Sequence, residues 1–342
     1  MERVFLKDHK AIVEVTVFLE RYNLVLDTFI DEFYVLRNGG AIIATGAIYE
    51  NVIKCVAVEE HNQGTNTINT VMSYLTQRCY ELGHMHLFIY TKPAVYRSFE
   101  YFGFKKIASS ENVILMERAV SGFDAFMNNL SQYSRDGRIG GIVVNCNPFT
   151  LGHQYLIEEA SKRCDWVHVF VVWQDQSTFP RDIRFRLIEA GTSHLQNVIL
   201  HKVPHYIISS ATFPSYFLKS ECAVLKEHVA LDLDLFGRGI APALNITTRF
   251  VGEEPFSGTT RTYNEGMKRL LPTYGIQVVE LKRKQSSGEA ISASAVRRLL
   301  TKDDYDSIKR IVPKSTYDYL VSEEAQLVIE NLKNKYSINN LV

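Results

Sequence analysis

The chain has 342 residues, of which 46% are hydrophobic and 22% charged, with 38 basic side chains balanced by 38 acidic ones. This composition excludes a disordered chain, and the length exceeds one ordinary hydrophobic core, so two domains are expected. A formal net charge of zero gives no bulk attraction to nucleic acid or an anionic membrane, and no apolar run approaches the ~20 residues of a membrane helix.

In chain order, Phe33 to Arg37 and Ala41 to Tyr49 flank Asn38-Gly39-Gly40, which reads as a hairpin, and Val52 to Val58 supplies a third strand. Ile68, Val71, Met72 and Leu75 fall on one face of a helix. His86 to Tyr90 reads as a strand, Ala94 to Phe102 as a short helix closed by Gly103, and Val113 to Met116 as another strand. A helical stretch from Phe123 to Tyr133 then runs into the turn-rich Ser134-Arg135-Asp136-Gly137. Beyond it the pattern becomes βαβ, with strand Ile139 to Cys146, helix Gly152 to Lys162, strand Trp166 to Trp173 and helix Arg181 to Gly191. Unbroken apolar strands of this kind belong to parallel sheets covered on both faces. Val198 to His201, Thr248 to Val251 and Gln277 to Leu281 are further strands, and Ser292 to Leu300 opens a late helix. The expected domains are 1–119, a helical linker 120–137, and 138–342.

Chemistry concentrates in Asn145-Cys146-Asn147-Pro148-Phe149-Thr150-Leu151-Gly152-His153, where the first βαβ strand hands over to its helix. Parallel sheets bind ligands at the carboxyl ends of their strands, and a helix start offers unpaired amides that suit phosphate. Gly152 allows close approach to the backbone, His153 is placed to donate to an α- or β-phosphoryl oxygen, and Thr150 adds a hydroxyl. The second such element is Ile291-Ser292-Ala293-Ser294-Ala295-Val296-Arg297. Ser292 is a natural N-cap, and Ser294 and Arg297 share a face, with the guanidinium suited to pyrophosphate.

Together these two elements resemble the nucleotidyltransferase superfamily, whose motifs are H/T-x-G-H and I-S-x-S-x-x-R. The resemblance implies a Rossmann-like domain, ATP with Mg²⁺, and in-line attack on the α-phosphate. It makes His153, Thr150 and Arg297 the catalytic candidates. Asn147, Phe149, Gly152, Ser292, Ser294, Arg184 and Glu254 are then the expected ATP contacts. A closer resemblance, to the citrate lyase ligase family, rests on the first motif with Tyr155-Leu156-Ile157. It also rests on Tyr206-Ile207-Ile208-Ser209 with Ala211-Thr212-Phe213-Pro214, and on Phe250-Val251-Gly252 with Glu254-Pro255-Phe256. That family implies acetate activation by ATP and acetylation of the prosthetic-group thiol of a citrate lyase acyl carrier subunit, releasing AMP and pyrophosphate. An adenylyltransferase acting on a phosphate monoester, with Arg181, Arg184 and Arg186 as extra cations, is an alternative. A regulatory module binding acyl-CoA and ATP is another.

The N-terminal segment resembles the GNAT acyltransferase fold, through Val56-Ala57-Val58 leading to Gln63-Gly64-Thr65-Asn66 and the later Tyr101-Phe102-Gly103-Phe104. His61 and Asn66 depart from the GNAT pyrophosphate turn, so a carrier-arm or docking role competes with acetyl transfer. No metal site is expected. The five cysteines are never spaced C-x-x-C, and His84 with His86, or His201 with His205, lack a third ligand at metal spacing. The scattered, odd-numbered cysteines point to a reducing cytoplasm.

Overall fold

A computed structural model describes residues 1–59, 66–172, 177–203, 206, 221–254, 258–286 and 289–339. The chain divides into two compact units, Met1–Asn129 with Ile208–Phe236, and Leu130–Ile207 with Gly237–Val342.

The first unit follows the order β1 (Glu2–Val4), α1 (His9–Glu20), β2 (Glu32–Asn38), β3 (Ala41–Tyr49), β4 (Val52–Val58), α2 (Thr67–Glu81), β5 (Leu87–Thr91), α3 (Tyr96–Glu100), β6 (Lys105–Ser109), β7 (Ile114–Arg118) and α4 (Phe123–Ser131). Its seven strands pair in the order β1-β2-β3-β4-β5-β7-β6. The expected hairpin turn is there, with Gly39 and Gly40 at φ of 57° and 88°, a region that side chains rarely enter. Strand alternation builds two cores. Phe33 and Val35 point to the face covered by Val15, Phe18 and Leu19 of α1, whereas Tyr34 joins Val71, Met72 and Leu75 of α2. Sequence reading missed α1, although Asp8 caps it by accepting from the amides of Lys10 and Ala11.

All pairs in this sheet are antiparallel except β4 with β5, which pair in parallel at only two positions, Val52 with Phe88 and Ile53 with Ile89. Beyond them the strands part. A cavity of about 210 Å³ lies there, lined by Ile53, Val56, Ala57, Tyr90, Lys92 and Phe99 among others. This mixed sheet is a GNAT-like fold.

The second unit opens with β8 (Ile139–Val144), α5 (Leu151–Arg163), β9 (Trp166–Val172), α6 (Arg181–Thr192) and β10 (Val198–Val203). Next in the chain is α7 (Glu221–Leu235), which belongs to the first unit. There Asp234 accepts from the Ser109 amide at 2.7 Å, and Glu227 accepts from the Asn112 side chain at 2.6 Å. The span 138–342 is therefore not one compact body, because α7 caps the β6–β7 hairpin. The chain continues through α8 (Ala241–Ala243), β11 (Thr248–Gly252), α9 (Gly258–Leu270), β12 (Gln277–Leu281), the short pair β13 (Gln285–Ser286) and β14 (Glu289–Ala290), and α10 (Ala293–Leu300). Three further helices, α11 (Tyr305–Lys309), α12 (Lys314–Leu320) and α13 (Gln326–Asn339), complete it.

Its five-stranded sheet is parallel throughout, in the order β10-β9-β8-β11-β12, a Rossmann-like arrangement. The strand order turns back at β8, so the switch point lies between β8 and β11. These two pair only at Gly140 with Thr248 and Gly141 with Arg249. Their carboxyl ends then separate, which is where an open parallel sheet takes its ligand. No helix among the described residues is long and apolar enough to cross a membrane.

Candidate active site

The loop after β8 carries the first motif. Cys146 sits at φ 52°, a left-handed conformation that costs a non-glycine residue energy, and its thiol is buried. Thr150, with φ −126° and ψ 166°, is the N-cap of α5. Its hydroxyl accepts from the His153 amide at 3.4 Å, and its own amide donates to His153 Nδ1 at 3.1 Å. This reciprocal capping box satisfies two helix-start amides and fixes the imidazole. Since Nδ1 is an acceptor, the ring proton sits on Nε2. Burial, followed by the positive charge of Arg283, lowers the His153 pKa from 6.5 to about 4. His153 is thus a neutral donor at pH 7. Thr150 is 1% exposed and its hydroxyl belongs to the cap, so it acts on His153 where sequence reading expected a phosphate contact.

The second motif meets the first. Ser292 caps α10 as expected, accepting from the Ala295 amide at 3.1 Å. A Cβ at position 152 would come within 3.2 Å of the Ile291 carbonyl oxygen, so Gly152 lets the two motif backbones touch. Arg297 donates through Nη1 to the Asn147 carbonyl and through Nη2 to Ser294 Oγ at 3.0 Å. The guanidinium therefore ties two segments 150 residues apart in sequence. Asn147 also accepts at Oδ1 from the Phe179 amide at 2.9 Å, which draws in the segment before α6.

Two expected ATP contacts have other tasks. Arg184 is 0% exposed, and its guanidinium donates to the carbonyls of Phe179, Asn145 and Val172 and to the Asn145 side chain. It is a strut joining the ends of β8 and β9, which a surface-helix pattern does not reveal. Phe149 is also 0% exposed, and its ring lies parallel to His153 with centroids 6.1 Å apart. A Cβ on Gly191 would collide with that ring at 2.4 Å. Burying a phenylalanine contributes roughly 1.5–3 kcal/mol, so Phe149 supports the histidine from within the core.

Glu254 follows β11 and forms an ion pair with Arg283, which follows β12. Arg283 Nε donates to the Glu253 carbonyl at 2.7 Å, and the Glu253 amide donates to the Leu281 carbonyl at 2.8 Å. Arg283 escaped the sequence reading. Its signal was the basic run Lys282-Arg283-Lys284 directly after an apolar parallel strand. Lys284 instead lies over the Tyr155 ring, 5.8 Å from its centre.

Of the histidine candidates, His86 pairs with Glu117 at 2.8 Å, and His201 meets His168 of the neighbouring strand at 2.8 Å. Among the described residues no three His, Cys, Asp or Glu side chains gather for a metal ion. Tyr206 is buried, whereas His205, residues 207–214, 255–256 and the GNAT-type turn at 60–65 lie outside the described residues.

A family model described as the citrate lyase ligase C-terminal domain matches residues 139–320. The chain is 40% identical over 322 residues to the citrate (pro-3S)-lyase ligase of Klebsiella pneumoniae, covering 92% of this chain and 94% of that one. It is 39% identical over 325 residues to the same-named protein of Escherichia coli K12, covering 93% and 92%. With both motifs in contact and the likeness running through both units, the chain belongs to the citrate lyase ligase family of ATP-dependent ligases.

Proposed function

We propose that the enzyme activates acetate with ATP and passes the acetyl group to the prosthetic-group thiol of a citrate lyase acyl carrier subunit. One acetate oxygen attacks the α-phosphorus, the bond to the bridging α–β oxygen breaks, and pyrophosphate leaves. The carrier thiolate then attacks the acetyl carbonyl of acetyl-adenylate, and AMP departs. Acetate is ionised at pH 7 and needs no general base. The observation that carries this reading is the joined pair of motifs, which holds a neutral His153 with its proton on Nε2 at the carboxyl end of β8. Such a donor stabilises charge on the α-phosphoryl group without taking a proton from the nucleophile.

Mg²⁺ enters this scheme as the companion of ATP. Glu254 is engaged by Arg283, and Mg²⁺ is commonly held through substrate phosphates. For the GNAT-like unit, the cavity between the parted strands β4 and β5 supports a role in receiving the carrier's arm. The buried thiols of Cys55, Cys79, Cys146 and Cys164 suit residence in a reducing cytoplasm. The decisive experiment measures exchange of labelled pyrophosphate into ATP. Exchange that depends on acetate supports the adenylate, and ATP binding without any such exchange removes it.

A further inference from the structure

Nε2–H of His153, the amide of Gly152 and Nη1 of Arg283 are among the active-site donors that have no acceptor among the described residues. They stand on the segments following β8 and β12, the two strands that flank β11. The guanidinium of Arg283 is restrained on two of its three nitrogens, by the Glu253 carbonyl and the Glu254 carboxylate. A planar fork held in this way keeps one amino group aimed and loses little entropy when that group binds.

We propose that Arg283 is a nucleotide-binding residue of this site: its open Nη1 takes a non-bridging oxygen of the phosphoryl group that His153 Nε2 addresses. Glu254 holds the guanidinium and binds neither ribose nor metal. The inference rests on the ATP-dependent reading above and adds the cation that reading lacks. ATP is polyanionic and the attacking carboxylate is another anion, so the site needs positive charge close to the α-phosphorus. Arg297 has both Nη groups bonded within the protein, on Asn147 and Ser294, and Lys284 lies over Tyr155. Arg283 has a donor left over. Its charge already weighs on the imidazole of His153, which places the two groups within electrostatic reach of one another. The pair with Glu254 is mostly buried, the carboxylate side chain being 10% exposed. Desolvating two charges is costly, and a positioned arginine explains why the cost is met here.

The test titrates ATP and measures acetate-dependent pyrophosphate exchange in the full chain carrying Arg283→Gln, Arg283→Lys, Glu254→Gln and the Arg283→Gln/Glu254→Gln double substitution. Arg283→Gln is expected to weaken ATP binding about tenfold and to slow exchange by roughly 10²–10³, the scale for one preorganised donor, in the molecules that remain folded. Arg283→Lys should fall between, since it keeps charge and loses the fork. The double variant should be no worse than Arg283→Gln alone, because Glu254 acts through that arginine. ATP affinity and exchange within about threefold of wild type in both arginine variants overturn the proposal. So does a double variant whose loss is the product of the single losses, which would give Glu254 a ligand of its own. The ATP titration contains no acetate. A wild type lacking exchange therefore counts against acetate activation alone, while weakened ATP binding by Arg283→Gln still upholds the arginine.

Discussion

The two units open their clefts by the same device and line them for different ends. In the GNAT-like sheet β4 and β5 run parallel for two residue pairs and then part, and in the Rossmann-like sheet β8 and β11 do the same. The first opening is walled by Ile53, Val56, Ala57 and Phe99, with Lys92 as its charged member. The second is edged by His153 of α5, Arg283 after β12 and Arg297 of α10. Backbone topology thus decides where the sheet opens, and side chains decide whether the opening is apolar or charged. The charged groups are also used differently. The first unit buries its pair between Lys54 of β4 and Asp27 before β2, at 3.1 Å, whereas the second keeps Arg283–Glu254 at the strand ends.

That contrast can be broken one unit at a time. Lys54→Met leaves Asp27 buried without its cation and should cost about 3–5 kcal/mol, read as a lower denaturation midpoint of the full chain. ATP affinity of the molecules still folded should hold, and a lost nucleotide site would show that the units are not independent. His153→Ala acts in the opposite sense. It should slow pyrophosphate exchange by about 10²–10³, or ~2.7–4 kcal/mol of transition-state stabilisation, with little change in melting. Gly191→Ala sharpens the comparison within the second unit, since its Cβ would strike Phe149 at 2.4 Å. Overpacking of that kind costs about 1–3 kcal/mol, and exchange should drop with it because Phe149 backs the His153 ring.

A separate effect concerns pH. Burial lowers His168 to about 4 and His201 to about 3, against an ordinary 6.5, with Arg135 and His168 as the respective second causes. The unfolded chain therefore binds protons that the folded chain refuses between pH 6.5 and about 3. Stability should be flat above pH 6.5 and decline as pH falls through that window. His201→Phe should flatten the decline in a denaturation series, and an unaltered slope would assign the acid sensitivity to other groups.

How far the sequence could be read follows from the range of each interaction. The T-x-G-H turn and the Ser292 cap are local, so residue type and spacing within a few positions determine them. Their meeting was inferable only through resemblance, because Gly152 and Ile291 touch through tertiary packing. Arg184 was expected at the phosphates and Arg283 was passed over for the same reason. One arginine on a helix and one after a strand look alike until the sheet shows which is enclosed and which stands at a strand end. Phe149 belongs with them, as an aromatic in a ligand-binding loop that turns inward against Gly191. Helix α7 could not be allotted to its unit from sequence, since its attachment consists of two carboxylates reaching amides 115 and 125 residues earlier.

Helix α7 also limits how the gene could be divided. The chain enters the second unit after residue 129, returns to the first for 208–236, and then goes back. A single cleavage near residue 129 would strip the GNAT-like half of the carboxylates that cap Ser109 and Asn112, leaving an unprotected hairpin edge. The excised remainder would carry a helix with two orphaned acids. Neither half is separable by one cut, so the two units of such a protein would have to be inherited, expressed and lost as one piece.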